Sequence, residues 1–406
     1  MYHWSRFPYP AELRNKFSGV QSAPWPLING HLHTPFSFSA FSSVEQAVKL
    51  AVEHGLKVIG INDFNTVAGY SDWSDHCRDH HMAPLFNIEM IGLNASDQEK
   101  GVRVNDPSNP GRTYLSGKGL CTEGIPVHVL NWLDEAVENN NRQSEKMAGL
   151  LNQYLEEVEA PFGLDLENDI KSITRGQIRE RHLATALRMK VDETFSTIDE
   201  KQAFYQRLIN KEINDPSDAA SVENQLRSAL LKSGGPAFVP EDIEIFPDLE
   251  TIRRLIIDAG GVPTYPFLGD ALDGKCTDFE HDLMSAMERL KERGIYSVEF
   301  ITPRNSIPYL KNVVPVLWEN GFLVTFGTEH NTPAMTPMVP AAKGQEEIPA
   351  DLLQYNVDSV CILLAHQYLM EKENTGWPGE SGQPRYEDQQ QFIQIGRQLL
   401  HYIFTG

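Results

Sequence analysis

The stretch SSVEQAVKLAVEHGLKVIGIND, residues 42–63, decides the fold. Residues 42–55 read as an amphipathic helix whose closing glycine, Gly55, can take the left-handed conformation past the last turn. Residues 56–63 then read as a strand. The same helix, glycine, strand unit returns at DLETIRRLIIDAG (248–260) and PYLKNVVPVLWENG (308–321). Working outward from these units, strands are expected at 25–30, 56–63, 83–92, 124–132, 260–267, 294–302 and 321–328. Repeated units of this kind predict an α/β fold with a parallel sheet, and a long series of them closes into a TIM-like (β/α)7 barrel. In such a barrel the chemistry gathers at the carboxyl ends of the strands.

The alternation fails between residues 134 and 247, a polar and helical region, where a helical insertion is expected over 160–235. Barrel parts are then expected at 1–159 and 236–349, with a C-terminal helical extension at 350–406. Residues 94–119, NASDQEKGVRVNDPSNPGRTYLSGKG, read as a long loop on the working face.

A charged content of 22% and a hydrophobic content of 41% are those of a globular chain. No run reaches the roughly 20 apolar residues that cross a bilayer, and MYHWSRFPYP (1–10) lacks a signal peptide's apolar core, so a cytoplasmic protein without membrane contact is expected. The four cysteines, Cys77, Cys121, Cys276 and Cys361, form no CxxC pair and suggest neither disulfides nor a thiolate zinc site. A net charge of −21 argues against nucleic-acid binding but leaves room for a small anionic substrate held by local cations.

In INGHLHTPFSFSAF (28–41), His31 and His33 are two apart at a strand end, where residues i and i+2 share a face. Other ligand types recur on later expected strands: Asp63, Glu89, His128 and Glu329 with His330 beside it. Imidazoles and carboxylates from different strands converge only in a barrel, and such mixed sites suit Zn, Mn or Fe. Glu89 stands among apolar residues, where a carboxylate without a cation is costly. The alternatives are a turn-capping Asp63, a core histidine at His128, and His330 rather than Glu329 as the ligand. DHCRDHHM (75–82) reads as a solvated helix face.

With these residues in place, the chain resembles the polymerase and histidinol phosphatase (PHP) family of metal-dependent phosphoesterases. The resemblance lies in INGHLHTPFS for the family's HxHT and in VIGINDFNTVAGY for its TDHDT-like segment. It continues in FNIEMIG, IPVHVLNW and VTFGTEHNTP, for the glutamate, the fourth-strand histidine and the terminal aspartate-x-histidine. It implies a distorted barrel of seven parallel strands and a site of up to three metals that hydrolyses phosphate esters. The departures imply fewer ions. Ser39, Phe64 and Asn331 stand where one metal of the three is bound, and Tyr265 in TYP replaces the histidine of AHP. The set His31, His33, Glu89 and Glu329 would keep one ion, and Glu89 with His128 a second, giving one or two divalent metals. GQIRERHLATALRMKV (176–191) resembles the R-x-H-[IF]-A-x-x-L helix of the inserted domain in nucleotide-hydrolysing relatives, although its arginine-to-histidine spacing differs.

The activity expected is metal-assisted hydrolysis of a small phosphorylated substrate. His128 and Asp63 are the candidate catalytic residues. Arg304, Arg181, His182, His330 and Tyr265 are candidates for substrate binding, and Glu299 for orienting a ligand. An altered site hydrolysing a carbohydrate derivative or lactone, a barrel that binds metal without turnover, and an amidohydrolase-type barrel are the competing readings.

Overall fold

The structure is a computed structural model that describes residues 3–17, 26–241, 245–379 and 383–405. Seven strands lie in one sheet in chain order. They are β1 (Leu27–Leu32), β2 (Leu56–Phe64), β3 (Ala83–Leu93), β4 (Arg112–Lys118), β5 (Val262–Phe267), β6 (Ser297–Ile301) and β7 (Leu323–Gly327). The sheet closes where the chain beyond β7 returns to β1, with Glu329 N donating to the His31 carbonyl at 3.0 Å and His33 N donating to the Glu329 carbonyl at 2.8 Å. The helices are α1 (Pro10–Lys16), α2 (Val44–Glu53), α3 (Tyr70–Asp79), α4 (Ala95–Glu99), α5 (Val127–Glu157), α6 (Glu180–Thr194), α7 (Ile198–Ile209), α8 (Ala219–Leu226), α9 (Leu249–Asp258), α10 (Leu283–Glu292), α11 (Ile307–Glu319), α12 (Ala350–Glu373) and α13 (Gln389–Thr405). None of the described helices is long and apolar enough to cross a membrane.

The opening reading holds where the units are clean. Beyond α2, α9 and α11 the chain turns into its strand at Gly55, Gly260 and Gly321, each with positive φ. Trp25, the first residue of the first expected strand, lies outside the described residues, as do 242–244 in the expected second barrel part and 380–382 in the expected C-terminal extension.

The fourth strand is the correction. Residues 124–132, expected as a strand, begin α5: Val129 and Leu133 are buried four residues apart while Val127 and Leu130 are exposed, a helical pattern behind Pro126 at the N-cap. A short apolar run does not by itself separate strand from helix. The strand found instead, β4, lies inside the expected loop at 94–119 and runs antiparallel to both neighbours, so the sheet is not wholly parallel.

The strands' outer faces pack against the helices through Ile59, Ile61, Phe86, Ile88, Val298, Phe300, Val324 and Phe326. The lumen is different: Asn62, Asn87, Ser116, Lys118, Thr264, Ser297, Glu299 and Thr325 are polar and 0–1% exposed. TIM barrels usually fill that space with branched apolar side chains. Here each polar group must find a partner inside. Helix α12 completes strand amides from outside: Asn356 Oδ1 accepts from Phe326 N at 3.0 Å, and Gln367 Oε1 from Phe86 N at 2.7 Å. A separate apolar core joins α6, α7 and α8 to the second half of α5 from Met147 onward, so the helical region draws on residues well before 160.

Candidate metal centre

Along β1 the alternation places Asn29 and His31, and beyond the strand end His33, toward the lumen. Room for His31 comes from Gly327 on β7, where a Cβ would lie 2.4 Å from the His31 Cβ. His31 Nε2 lies 3.2 Å from His33 Nε2, and His33 Nε2 lies 3.3 Å from Glu89 Oε2 on β3. All three side chains are buried, and their ligand atoms lie within 4.8 Å of one another.

The hydrogen bonds decide where the protons are. Ser37 Oγ donates its one proton to Asp63 Oδ1 at 2.6 Å, so toward His33 Nδ1, 3.2 Å away, it can only accept. His33 therefore carries its proton on Nδ1. Glu299 lies 2.9 Å from His31 Nδ1; burial raises its carboxyl, but the Lys118 ammonium at 2.6 Å outweighs that and holds it well below the usual range, so Nδ1 of His31 also carries the proton. Both Nε2 atoms then carry lone pairs 3.2 Å apart, with the Asn62 amide nitrogen 3.0 Å from that of His31. Burial pushes His33 well below the usual imidazole value, so it does not relieve the pair by taking a second proton.

Glu89 completes the argument. Its Oε2 has no hydrogen-bond partner, and burial pushes its carboxyl up to about 8. Two imidazole lone pairs and an orphaned carboxylate oxygen meeting in the dry mouth of a barrel form a donor set for a divalent cation. Two nitrogens on one tetrahedral ion stand about 3.3–3.4 Å apart, close to the separation found. The residues present fit such an ion. Ser37→Ala removes the acceptor that fixes the His33 tautomer, and metal affinity should fall about 10–100-fold, measured by chelator competition. Affinity equal to wild type would show that Ser37 has no part in the centre.

Of the other expected residues, Asp63 accepts from Thr34 N at 2.7 Å as well as from Ser37, and acts on His33 through that serine. Glu329 has its backbone paired with the HxH segment, but its carboxylate engages Arg304. Both Glu329 and His330 have positive φ, a conformation that side chains other than glycine hold only where their surroundings impose it. His330 is removed from the expected substrate set: its Nδ1 meets Thr328 Oγ1 at 2.8 Å, its Nε2 meets the Thr336 carbonyl at 2.9 Å, and its ring stacks on Phe41. Tyr265 is removed too. It pairs in register with the outward Val298, while its neighbour Pro266 pairs with the inward Glu299, and its hydroxyl donates to Glu280 at 2.8 Å. His128 is the largest correction to the expected ligands and catalytic groups: it sits on α5, 60% exposed, 2.9 Å from Asp258, away from the lumen.

The insertion does reach the site. Arg179 lies 4.4 Å from the Phe64 ring centre, and Phe64 stacks on His33 with ring centres 4.8 Å apart. Arg181 lies over Phe38, and His182 meets the same ring edge-on while its Nδ1 accepts from Arg179 N at 3.0 Å. Burial pulls His182 down to about 3, so it stays neutral as a helix cap. Lys118, Asn62, Ser116 and Ser37 were not anticipated. The signal that could have exposed Lys118 is the alternation of Tyr114, Ser116 and Lys118 with Thr113, Leu115 and Gly117 inside an apparent loop.

Residues 29–159 match a family model described as PHP domain. No curated protein matches the chain. Among solved structures, a candidate metal-dependent phosphoesterase from Bifidobacterium adolescentis superposes with a TM-score of 0.53 at 14% identity, covering 83% of this chain and 98% of its own. An amidohydrolase from Chromobacterium violaceum, with bound sulfate and no metal, superposes with a TM-score of 0.47 at 13% identity, covering 81% of this chain and 96% of its own. The first likeness concerns the fold alone, and the motif match concerns the segment that supplies His31, His33 and Glu89. Residues 29–159, the stretch that supplies His31, His33 and Glu89, are thus similar to a PHP domain.

Proposed function

We propose that this protein is a metal-dependent hydrolase that cleaves a phosphate ester of a small anionic substrate. The observation that carries this reading is the convergence of the His31, His33 and Glu89 donor atoms, with His33 stacked on Phe64, whose ring also bears Arg179, an arginine in no ion pair among the described residues. His31, His33 and Glu89 would hold the ion. A bound divalent ion supplies acidified water and neutralises ester oxygens.

The chain's own residues do the rest. Phe64 covers one face of His33 and fixes the ring, while the Asp63–Ser37 pair holds its proton on Nδ1. Arg179 and Arg304 offer planar donors to the substrate's anionic oxygens. Burial, with the charge of nearby Arg227, pulls Arg181 down to about 10, which leaves it a cation at neutral pH beside the mouth. Gln177, two residues before Arg179, is buried with both amide atoms unpartnered, a donor and an acceptor open to a ligand. A cleft of about 530 Å³, lined in part by Asn65, Trp132, Asn139, Gln143, Arg179 and Phe246, would take the substrate's body.

Turnover of phosphomonoesters, cyclic phosphodiesters and lactones with and without added Mn tests the reading. Metal-dependent release of phosphate is expected, and Arg179→Ala should raise KM at least tenfold while metal content stays unchanged. Turnover of lactones with none of any phosphate ester would overturn the phosphoesterase assignment.

A further inference from the structure

Lys118 ends β4 on its lumen side with its side chain 1% exposed. Its ammonium lies 2.6 Å from Glu299 Oε2, 3.2 Å from Asn62 Oδ1 and 3.4 Å from the Gly30 carbonyl. Each of the first two partners touches His31. Glu299 accepts from His31 Nδ1 at 2.9 Å, and Asn62, with its oxygen held by the lysine, turns its Nδ2 to 3.0 Å from His31 Nε2. Glu299 also accepts from Ser116 Oγ. Four strands, β1, β2, β4 and β6, thus meet at one buried ammonium.

We infer that Lys118 is a resident cation of the barrel, a positioning residue that aims His31 at the metal through Glu299 and limits the centre to a single divalent ion. This rests on the reading of His31, His33 and Glu89 as a metal centre. A second divalent ion needs a further anionic ligand, and the carboxylates around the site are already matched. Glu299 belongs to Lys118, Glu329 to Arg304, and Asp63 to the Thr34 amide, the Thr34 hydroxyl and the Ser37 hydroxyl. Glu89 is the one with an orphaned oxygen. The lysine stem also occupies the lumen between β4 and β1, where its ammonium reaches the Gly30 carbonyl.

Removing the lysine alone leaves Glu299 buried with no countercharge, free to pull His31 out of line. Removing both charges leaves an amide that still accepts from His31 through its oxygen and donates to Ser116 through its nitrogen. The test is isothermal titration of metal-free protein with Zn, run on wild type, Lys118→Met and the double variant Lys118→Met/Glu299→Gln, with circular dichroism to confirm folding. Wild type should bind one ion per chain. Lys118→Met should bind it about 10–100-fold more weakly, and the double variant should regain at least about tenfold of that loss. A merely structural lysine would lower the unfolding midpoint and leave the affinity of the folded protein for Zn unchanged. Two ions per wild-type chain, unchanged affinity in Lys118→Met, or a double variant no better than the single one would each overturn the inference while leaving the metal centre standing. A wild type that binds no ion would overturn both. If Lys118→Met does not fold, the double variant decides alone: it must bind one ion within about tenfold of wild type, and failure to do so overturns the inference.

Discussion

His33→Ala abolishes metal binding and turnover together. The substitution removes one of the two imidazole donors, leaves the Phe64 ring without its stacking partner, and strands Ser37 with no group to receive on its oxygen. A group that merely orients a ligand contributes about 10–100-fold in metal affinity, so loss of a ligand itself should cost at least about 100-fold. Elemental analysis after dialysis, alongside turnover with saturating Mn, measures both. The two losses must go together, because the water that attacks depends on the ion. Wild-type turnover in a variant that has lost its metal would detach the chemistry from the HxH pair.

The second expected result has two opposite signs. Glu89→Gln takes away the negative charge of the ligand set, and metal affinity should fall at least about 100-fold. The metal-free protein, however, should become more stable. In the empty site Glu89 is a buried carboxyl with an unpartnered oxygen, raised to about 8 by burial, and an unfolded chain would ionise it freely. For an acid whose folded value is raised, stability is present at low pH and is lost as pH rises from the unfolded value toward the folded one. At neutral pH the neutral amide escapes that loss, on the order of 3 kcal/mol. Thermal unfolding of chelator-treated protein should therefore show a higher midpoint for the variant than for wild type. The gap should close at acid pH, where the wild-type carboxyl is protonated in both states. A variant less stable than wild type without metal would mean that Glu89 already has a partner in the empty site.

How far the sequence could be read follows from what each strand shows on its two faces. Strands β2, β5 and β7 were legible because an amphipathic helix and a positive-φ glycine precede each of them, and the pattern depends only on the outer face. β4 was hidden because its inward residues, Tyr114, Ser116 and Lys118, serve a polar lumen, and the run lacks the apolar content that marks a strand. Its place was given to residues 124–132, whose apolar run belongs to the first turns of α5. That single exchange carried His128 into the site.

The same polar lumen explains the misplacement of Tyr265. Thr264 and Pro266 are the inward residues of β5, with Thr264 Oγ1 bonded to Ser297 Oγ at 2.9 Å, so the position between them faces the helices. His31, His33 and Glu89 were legible because the period of two puts the HxH pair on one face and because a carboxylate among apolar neighbours needs a cation. Arg304 was legible as a cation at the active end, but its hold on the Glu329 carboxylate was not, since side-chain direction at a positive-φ residue has no sequence signature. Arg179 reaches the site only through the packing of the insertion on Phe64, a tertiary contact between residues far apart in the chain.

An anomalous-scattering map at the zinc edge, from crystals grown with Zn, tests the central claim most directly: donors from separate strands share one cation at the barrel mouth. The account predicts one strong peak about 2.0–2.2 Å from Nε2 of His31, Nε2 of His33 and a Glu89 carboxylate oxygen. A map with no peak among these three side chains would contradict it.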